Sequence, residues 1–63
     1  MIQMCEFRVI LDGKQLMEEV IYAKIDGNKI RLRDIIGDEK TVENATILEV
    51  NVLNTQMILQ SLP

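Results

Sequence analysis

Histidine is absent from this 63-residue sequence, as is tryptophan, while cysteine, phenylalanine and tyrosine occur once each. Without an imidazole, no Cys-His or Ser-His pair can activate a nucleophile. The carboxylates that remain are scattered through turns and outward positions. Glu18 and Glu19 are adjacent, and in an extended chain neighbouring side chains point to opposite faces. A solvated acidic surface accounts for them, so an enzyme is not expected. A single cysteine rules out an internal disulfide. Phe7 and Tyr22 are too few to make a stacking platform for unpaired bases. No apolar run approaches the ~20 residues that span a bilayer, and no signal-like apolar segment is present. These features point to a cytoplasmic chain, where a lone thiol stays reduced.

What the sequence does contain is consistent with one small domain. Sixty-three residues fall below the usual domain size. A chain this short buries only about 60% of the surface that its unfolded form exposes. Scaffolds of this size are commonly supported by disulfides, a metal or self-association. With the disulfide excluded, the last two remain, and two symmetry-related copies of Cys5 can still meet across a dimer axis. Net charge is −3 from ten acids and seven bases. Such a chain repels a phosphate backbone unless its bases gather on one face.

The pattern along the chain is that of strands and tight turns. From Met4, the residues Cys5, Phe7, Val9 and Leu11 share one parity, which predicts a half-buried strand with Phe7 and Val9 facing the core. Asp12-Gly13 makes a turn. The stretch from Lys14 to Glu19 fits either a short strand or one helical turn. Val20 to Ile25 reads as a strand with Ile21, Ala23 and Ile25 on one face, and Asp26-Gly27-Asn28 is a hairpin signal. The return strand, Lys29 to Asp34, has the cleanest alternation, with Ile30 and Leu32 inward. Ile35 to Lys40 is expected to form a turn whose two isoleucines tuck under the sheet, and Thr41-Val42 to pair briefly. Ala45 to Leu53 reads as a strand buried on both sides in its middle. Asn54-Thr55 is a turn, Gln56 to Gln60 closes the sheet, and 61–63 is expected to fray. Five to seven short strands with no helix predict an all-β meander. Because a short sheet leaves its edges exposed, closure into a small SH3-like or Sm-like barrel over residues 4–60 is the expected architecture. Residues 1–3 precede it as an extension.

Two features carry candidate chemistry. Lys29, Arg31 and Arg33 form a basic row on one strand face, with Arg8 a candidate neighbour. One reading is a phosphate-tracking stripe for RNA, since such bases supply most non-specific affinity. The other, favoured by the acidic balance and the lack of aromatics, is a solvated row paired with nearby acids. Cys5 is the second feature. On the parity of Phe7 and Val9, it reads as a buried small hydrophobe; at the open end of its strand, it reads as a metal ligand. One thiolate cannot close a metal site, whereas two across a two-fold axis can. With backbone nitrogens as further donors, the site is mixed S and N, which suits nickel(II) or copper(II) in tetragonal geometry. Zinc prefers a closed tetrahedral set.

Several segments taken together carry a family resemblance. These are Met4-Cys5, the strand ending at Asp12-Gly13, the Glu19-Val20 start of the next strand, and the Asp26-Gly27-Asn28 hairpin. Arg33-Asp34-Ile35-Ile36-Gly37-Asp38 follows, then the closing strands Leu48-Glu49-Val50-Asn51 and Met57-Ile58-Leu59. In this order and spacing, from Met4 to Gln60, they resemble the CooT family of small nickel-binding proteins. One member of that family assists nickel insertion into carbon monoxide dehydrogenase, and many others have been described as predicted RNA-binding proteins.

The resemblance implies a homodimeric β-barrel that carries about one nickel ion per dimer, with a nickel enzyme as its client. The ligand is the cysteine behind the family's initial methionine, and Cys5 alone matches that position. Met1-Ile2-Gln3 departs from the family pattern. A chain beginning at Met4 that loses this methionine gives Cys5 a free amine beside its thiolate, and hence a five-membered chelate. With three residues ahead, the Cys5 nitrogen is an amide, a poorer donor until it is deprotonated.

Overall fold

A computed structural model describes residues 6–63, and every regular element among them is a strand. They are β1 (Phe7–Leu11), β2 (Lys14–Asp26), β3 (Lys29–Asp34), β4 (Glu39–Val42), β5 (Ala45–Asn51) and β6 (Gln56–Ser61). They form one six-stranded sheet in the order β4-β3-β2-β1-β6-β5, with β1 and β6 parallel and all other neighbours antiparallel. The expected all-β fold is thus present, but the sheet does not close. One backbone hydrogen bond, from the Ala45 amide to the Asn28 carbonyl at 3.1 Å, ties the start of β5 to the β2–β3 turn. The barrel is loose.

The two hairpin turns follow from their residues. Asp12 and Gly13 both have positive φ, 50° and 84°, with Leu11 opposite Lys14, as a type I′ turn requires. At the β2–β3 turn only Gly27, the first central residue, has positive φ (63°), and Asp26 stands opposite Lys29, which is the type II′ arrangement. Both twist with the strands they join.

The ambiguous stretch Lys14 to Glu19 belongs to β2, which is 13 residues long. Its alternation is broken because its register against β1 slips twice, between the Val20 and Met17 pairings and again between Met17 and Gln15. It slips once more against β3, between Val20 and Tyr22. Glu19 takes a φ of 58° at the first of these slips. Bulges bend the strand that carries them. The first part of β2 therefore pairs with β1 and the second with β3, with Val20 in both ladders.

The bend changes which apolar residues are buried. Val20 enters the core with Val9, Ile30, Leu32, Val42, Ala45, Met57 and Leu59. Phe7, Leu11, Leu16, Met17 and Ile47 pack around them. Ile21, expected to share a face with Ala23 and Ile25, lies at the register slip and is exposed. Ala23 and Ile25 do stand opposite Leu32 and Ile30, but little covers this end of the hairpin and Ile25 is 60% exposed. Ile35 and Ile36 do not tuck under the sheet; Ile36 is 78% exposed. The Asp34 carboxylate accepts the Ile36 and Asp38 amides at 3.1 and 2.9 Å, and this tight turn points both isoleucines outward.

Nor is β5 buried on both sides. Its register slips between Ile47 and Glu49, and Leu48 and Val50 face solvent. The chain end expected to fray is tied down. The Ser61 amide and hydroxyl both donate to the Asp12 carboxylate, and the Leu62 amide donates to the Asn44 carbonyl at 2.7 Å.

Leu32 has no exposed surface and lies in the middle of the core. Leu32→Ala is expected to cost about 2–5 kcal/mol, read from the shift of a urea unfolding midpoint. The Ser61 hydroxyl, and after it the Ser61 amide, hold the Asp12 carboxyl below its ordinary value of 3.8. A depressed folded value means that this latch stabilises the protein fully above the ordinary carboxylate range and is lost as pH falls through the folded value. Thermal melts of the native protein and Asp12→Asn should therefore differ near neutrality and converge in strong acid. A gap that is constant across pH would contradict this latch.

Candidate metal-binding and interaction site

The N-terminal end of β1 is fixed from two sides. Phe7 stands opposite Val20 at the bend of β2, and the Arg8 amide donates to the Thr55 carbonyl at 2.9 Å. The β5–β6 turn is thereby brought beside the start of β1. Between the bend and β5 lies an apolar groove of about 240 Å³, bordered by Phe7, Ile21, Tyr22, Ala23 and Val50 over a floor of Val20 and Met57. The turn that follows β5 carries Val52 and Leu53, both exposed.

Cys5 lies outside the described residues; it precedes Phe7, at the mouth of this groove, by two positions. Among the described residues there is no group of three or more His, Cys, Asp or Glu side chains able to hold a metal ion. The whole chain contains one cysteine and no histidine. The sequence of one chain therefore offers a single thiol beside its carboxylates as a side-chain metal donor of high affinity.

The basic row is built by β3, whose Lys29, Arg31 and Arg33 alternate with the buried Ile30 and Leu32. Lys29 lies 3.6 Å from Glu43, and the Arg33 guanidinium donates to the Glu39 carboxylate at 3.1 Å from directly across the β3–β4 ladder. Arg33 also stands 5.2 Å from the centre of the Tyr22 ring. Arg31 faces Thr41 and Lys24 on its two sides. Arg8 is not part of the row, because β2 lies between β1 and β3. Two of the three row cations thus have acidic partners, the arrangement expected of a solvated, ion-paired surface.

The groove was not visible in the sequence. It joins residues of β2 to Val50 across a bend whose bulges obscure the alternation. The contiguous uncharged run Ile21-Tyr22-Ala23 was its one local signal.

Comparison with known proteins gives this geometry its family. A protein-family model described as CO dehydrogenase accessory protein CooT matches residues 4–60. The chain belongs to the CooT family. That family comprises accessory proteins rather than enzymes, in keeping with the lack of an activated nucleophile. A crystal structure assigned to CooT from Carboxydothermus hydrogenoformans superposes with a TM-score of 0.83 at 19% sequence identity, covering 94% of this chain and 100% of that one. At that identity the likeness establishes a shared fold. None of the curated proteins compared with the chain matches it. The CooT match begins at Met4 and so includes Cys5. No helix among the described residues is long and apolar enough to cross a membrane.

The Arg33 and Glu39 side chains are each nearly half exposed. A double-mutant cycle with Arg33→Ala and Glu39→Ala should give a coupling of about 0.2–1 kcal/mol that shrinks with added salt. No measurable coupling at low salt would mean that the pair does not form in solution.

Proposed function

We propose that this CooT-family chain is a cytoplasmic nickel carrier for a nickel enzyme of the CO dehydrogenase type. In this reading the ion is cargo, held between two copies by the paired Cys5 thiolates. The observation that carries it is the family match from Met4 through residue 60, which includes the sequence's single cysteine. The chemistry of the chain supports it. A thiolate is the only soft side-chain donor of high affinity available, and the absence of histidine leaves backbone nitrogen as the natural second donor. Such a set favours a tetragonal ion. One chain cannot complete it, whereas an isologous pair supplies each donor twice.

Binding by few protein ligands also suits transfer. An ion held by two thiolates and backbone nitrogens is exposed to a competing ligand on a client, whereas one enclosed by four side chains is not. Within the β3 row, pairing of Lys29 and Arg33 leaves Arg31 as the one base without an acidic partner within salt-bridge distance among the described residues, and Arg8 lies apart from the row. That is a small charge with which to track a phosphate backbone, so the nickel reading is preferred to the RNA reading.

Titration of the intact protein with nickel(II) should produce a thiolate-to-metal charge-transfer absorbance that saturates at one metal per two chains. Cys5→Ser should abolish it. If the serine variant keeps the same absorbance, Cys5 is not the ligand and this reading is wrong.

A further inference from the structure

On the outer face of β2, β3 and β4, side chains stand in three rows that cross the strands. In the first row Arg33 lies between Tyr22 and Glu39, and it is satisfied by the ring on one side and the carboxylate on the other. In the third, Lys29 stands opposite Asp26 and lies 3.6 Å from Glu43. The middle row differs. Lys24 stands directly opposite Arg31, and Thr41 flanks Arg31 on its other side; all three are exposed. Among the described residues, neither Lys24 nor Arg31 has an acid within salt-bridge distance. Like charges directly opposite one another in a ladder are destabilising. The free chain therefore holds a repulsive pair between two rows that carry acids of their own.

We propose that the middle row docks one carboxylate of a partner protein, carried on an extended segment whose acid is flanked by a base two residues away on either side. The proposal is independent of Cys5 and of any metal.

Charge complementarity selects this occupant. Lys24 and Arg31 together offer donors to both oxygens of a carboxylate, and a guanidinium presents its own as a planar fork. The site is one anion wide. On one face of a strand, alternate residues lie about 7 Å apart. The rows beside the middle one therefore place Glu39 in one direction and Asp26 and Glu43 in the other. An extended segment has the same period, so bases two residues to either side of its acid face these carboxylates. A nucleic-acid strand carries a charge at every nucleotide, and the phosphates beside the bound one would be repelled by the same carboxylates. A uniformly acidic segment is disfavoured for that reason too. A free carboxylate gains nothing from the neighbouring rows.

The test titrates the isotope-labelled full chain, at low ionic strength, with the acetylated and amidated heptapeptide Ala-Lys-Ala-Glu-Ala-Lys-Ala, followed by nuclear magnetic resonance. The backbone amides of Lys24, Arg31 and Thr41 should shift together. Arg31→Gln should weaken binding about two- to fivefold, the worth of one exposed ion pair. Lys24→Glu should abolish binding and also raise the urea unfolding midpoint, because it places an acid opposite Arg31. A plain solvated surface would show the gain in stability without any loss of binding. Exchanging the peptide's glutamate for glutamine, or its lysines for glutamates, should remove the shifts. The proposal is overturned if the glutamine peptide or acetate binds as tightly as the parent peptide. It is equally overturned if Lys24→Glu keeps the binding or lowers the unfolding midpoint. Tighter binding of oligouridylate at the same ionic strength would overturn it in favour of a nucleic-acid surface.

Discussion

The bend in β2 is the constraint on which the remaining structure depends. A 13-residue strand cannot pair along its whole length with the five residues of β1. Bulges around Glu19 and Ile21 resolve this by turning the strand between two partners. β1 and β6 consequently lie on one side of the bend, and β3 and β4 on the other. The sheet curls without closing, and Val20 at the turning point is held in both ladders and in the core. Even the loop after β3 depends on the bend, because the Ile35 amide donates to the Glu19 carbonyl at 2.9 Å.

The bend also explains which parts of the fold were legible in the sequence. Turns made by Asp12-Gly13 and Gly27-Asn28 are dictated locally, since a hairpin connection of two residues needs positive φ at defined positions. The strict alternation of Lys29 to Asp34 was equally readable, because β3 is flat enough to keep its register. Alternation fails where a bulge inserts a residue: slips in register leave Lys14 to Glu19 open between strand and helical turn, and Ile21 and Leu48 to Val50 lie at further slips. Ile35 and Ile36 failed for a different reason. Hydropathy places them inside, but the Asp34 carboxylate has claimed the amides of this turn, and local hydrogen bonding fixes where the side chains point. Closure of the sheet was an inference from edge avoidance, whereas the molecule stops one ladder short of it.

Of the candidate site, the residue types were legible and their grouping was not. Composition restricts the metal-binding side chains to one thiol and scattered carboxylates, which confines any soft metal site to Cys5. The basic row was visible as alternation, and its neutralisation by Glu39 and Glu43 followed from pairing between β3 and β4 that alternation alone does not give. The groove beside β1 is a product of tertiary structure. Its walls come from strands far apart in the chain, and no period in the sequence links Tyr22 to Val50.

A scaffold of this size thus divides its labour unequally. The buried core is wholly apolar, with no buried polar or charged residue among those described, so the strands supply stiffness and no ligands. Side-chain hydrogen bonds to the backbone are made at turns and strand ends, as with Asp12 holding Ser61 and Asp34 ordering the β3–β4 loop. Among the described residues no group of side chains can hold a metal ion, so in the reading proposed above the ligand, Cys5, comes from the sequence ahead of β1. The end at which β1 begins also carries the apolar groove and the exposed Val52 and Leu53 of the β5–β6 turn. The same bend that leaves the sheet open therefore also forms, beside Phe7 at the start of β1, an apolar groove that the core does not fill.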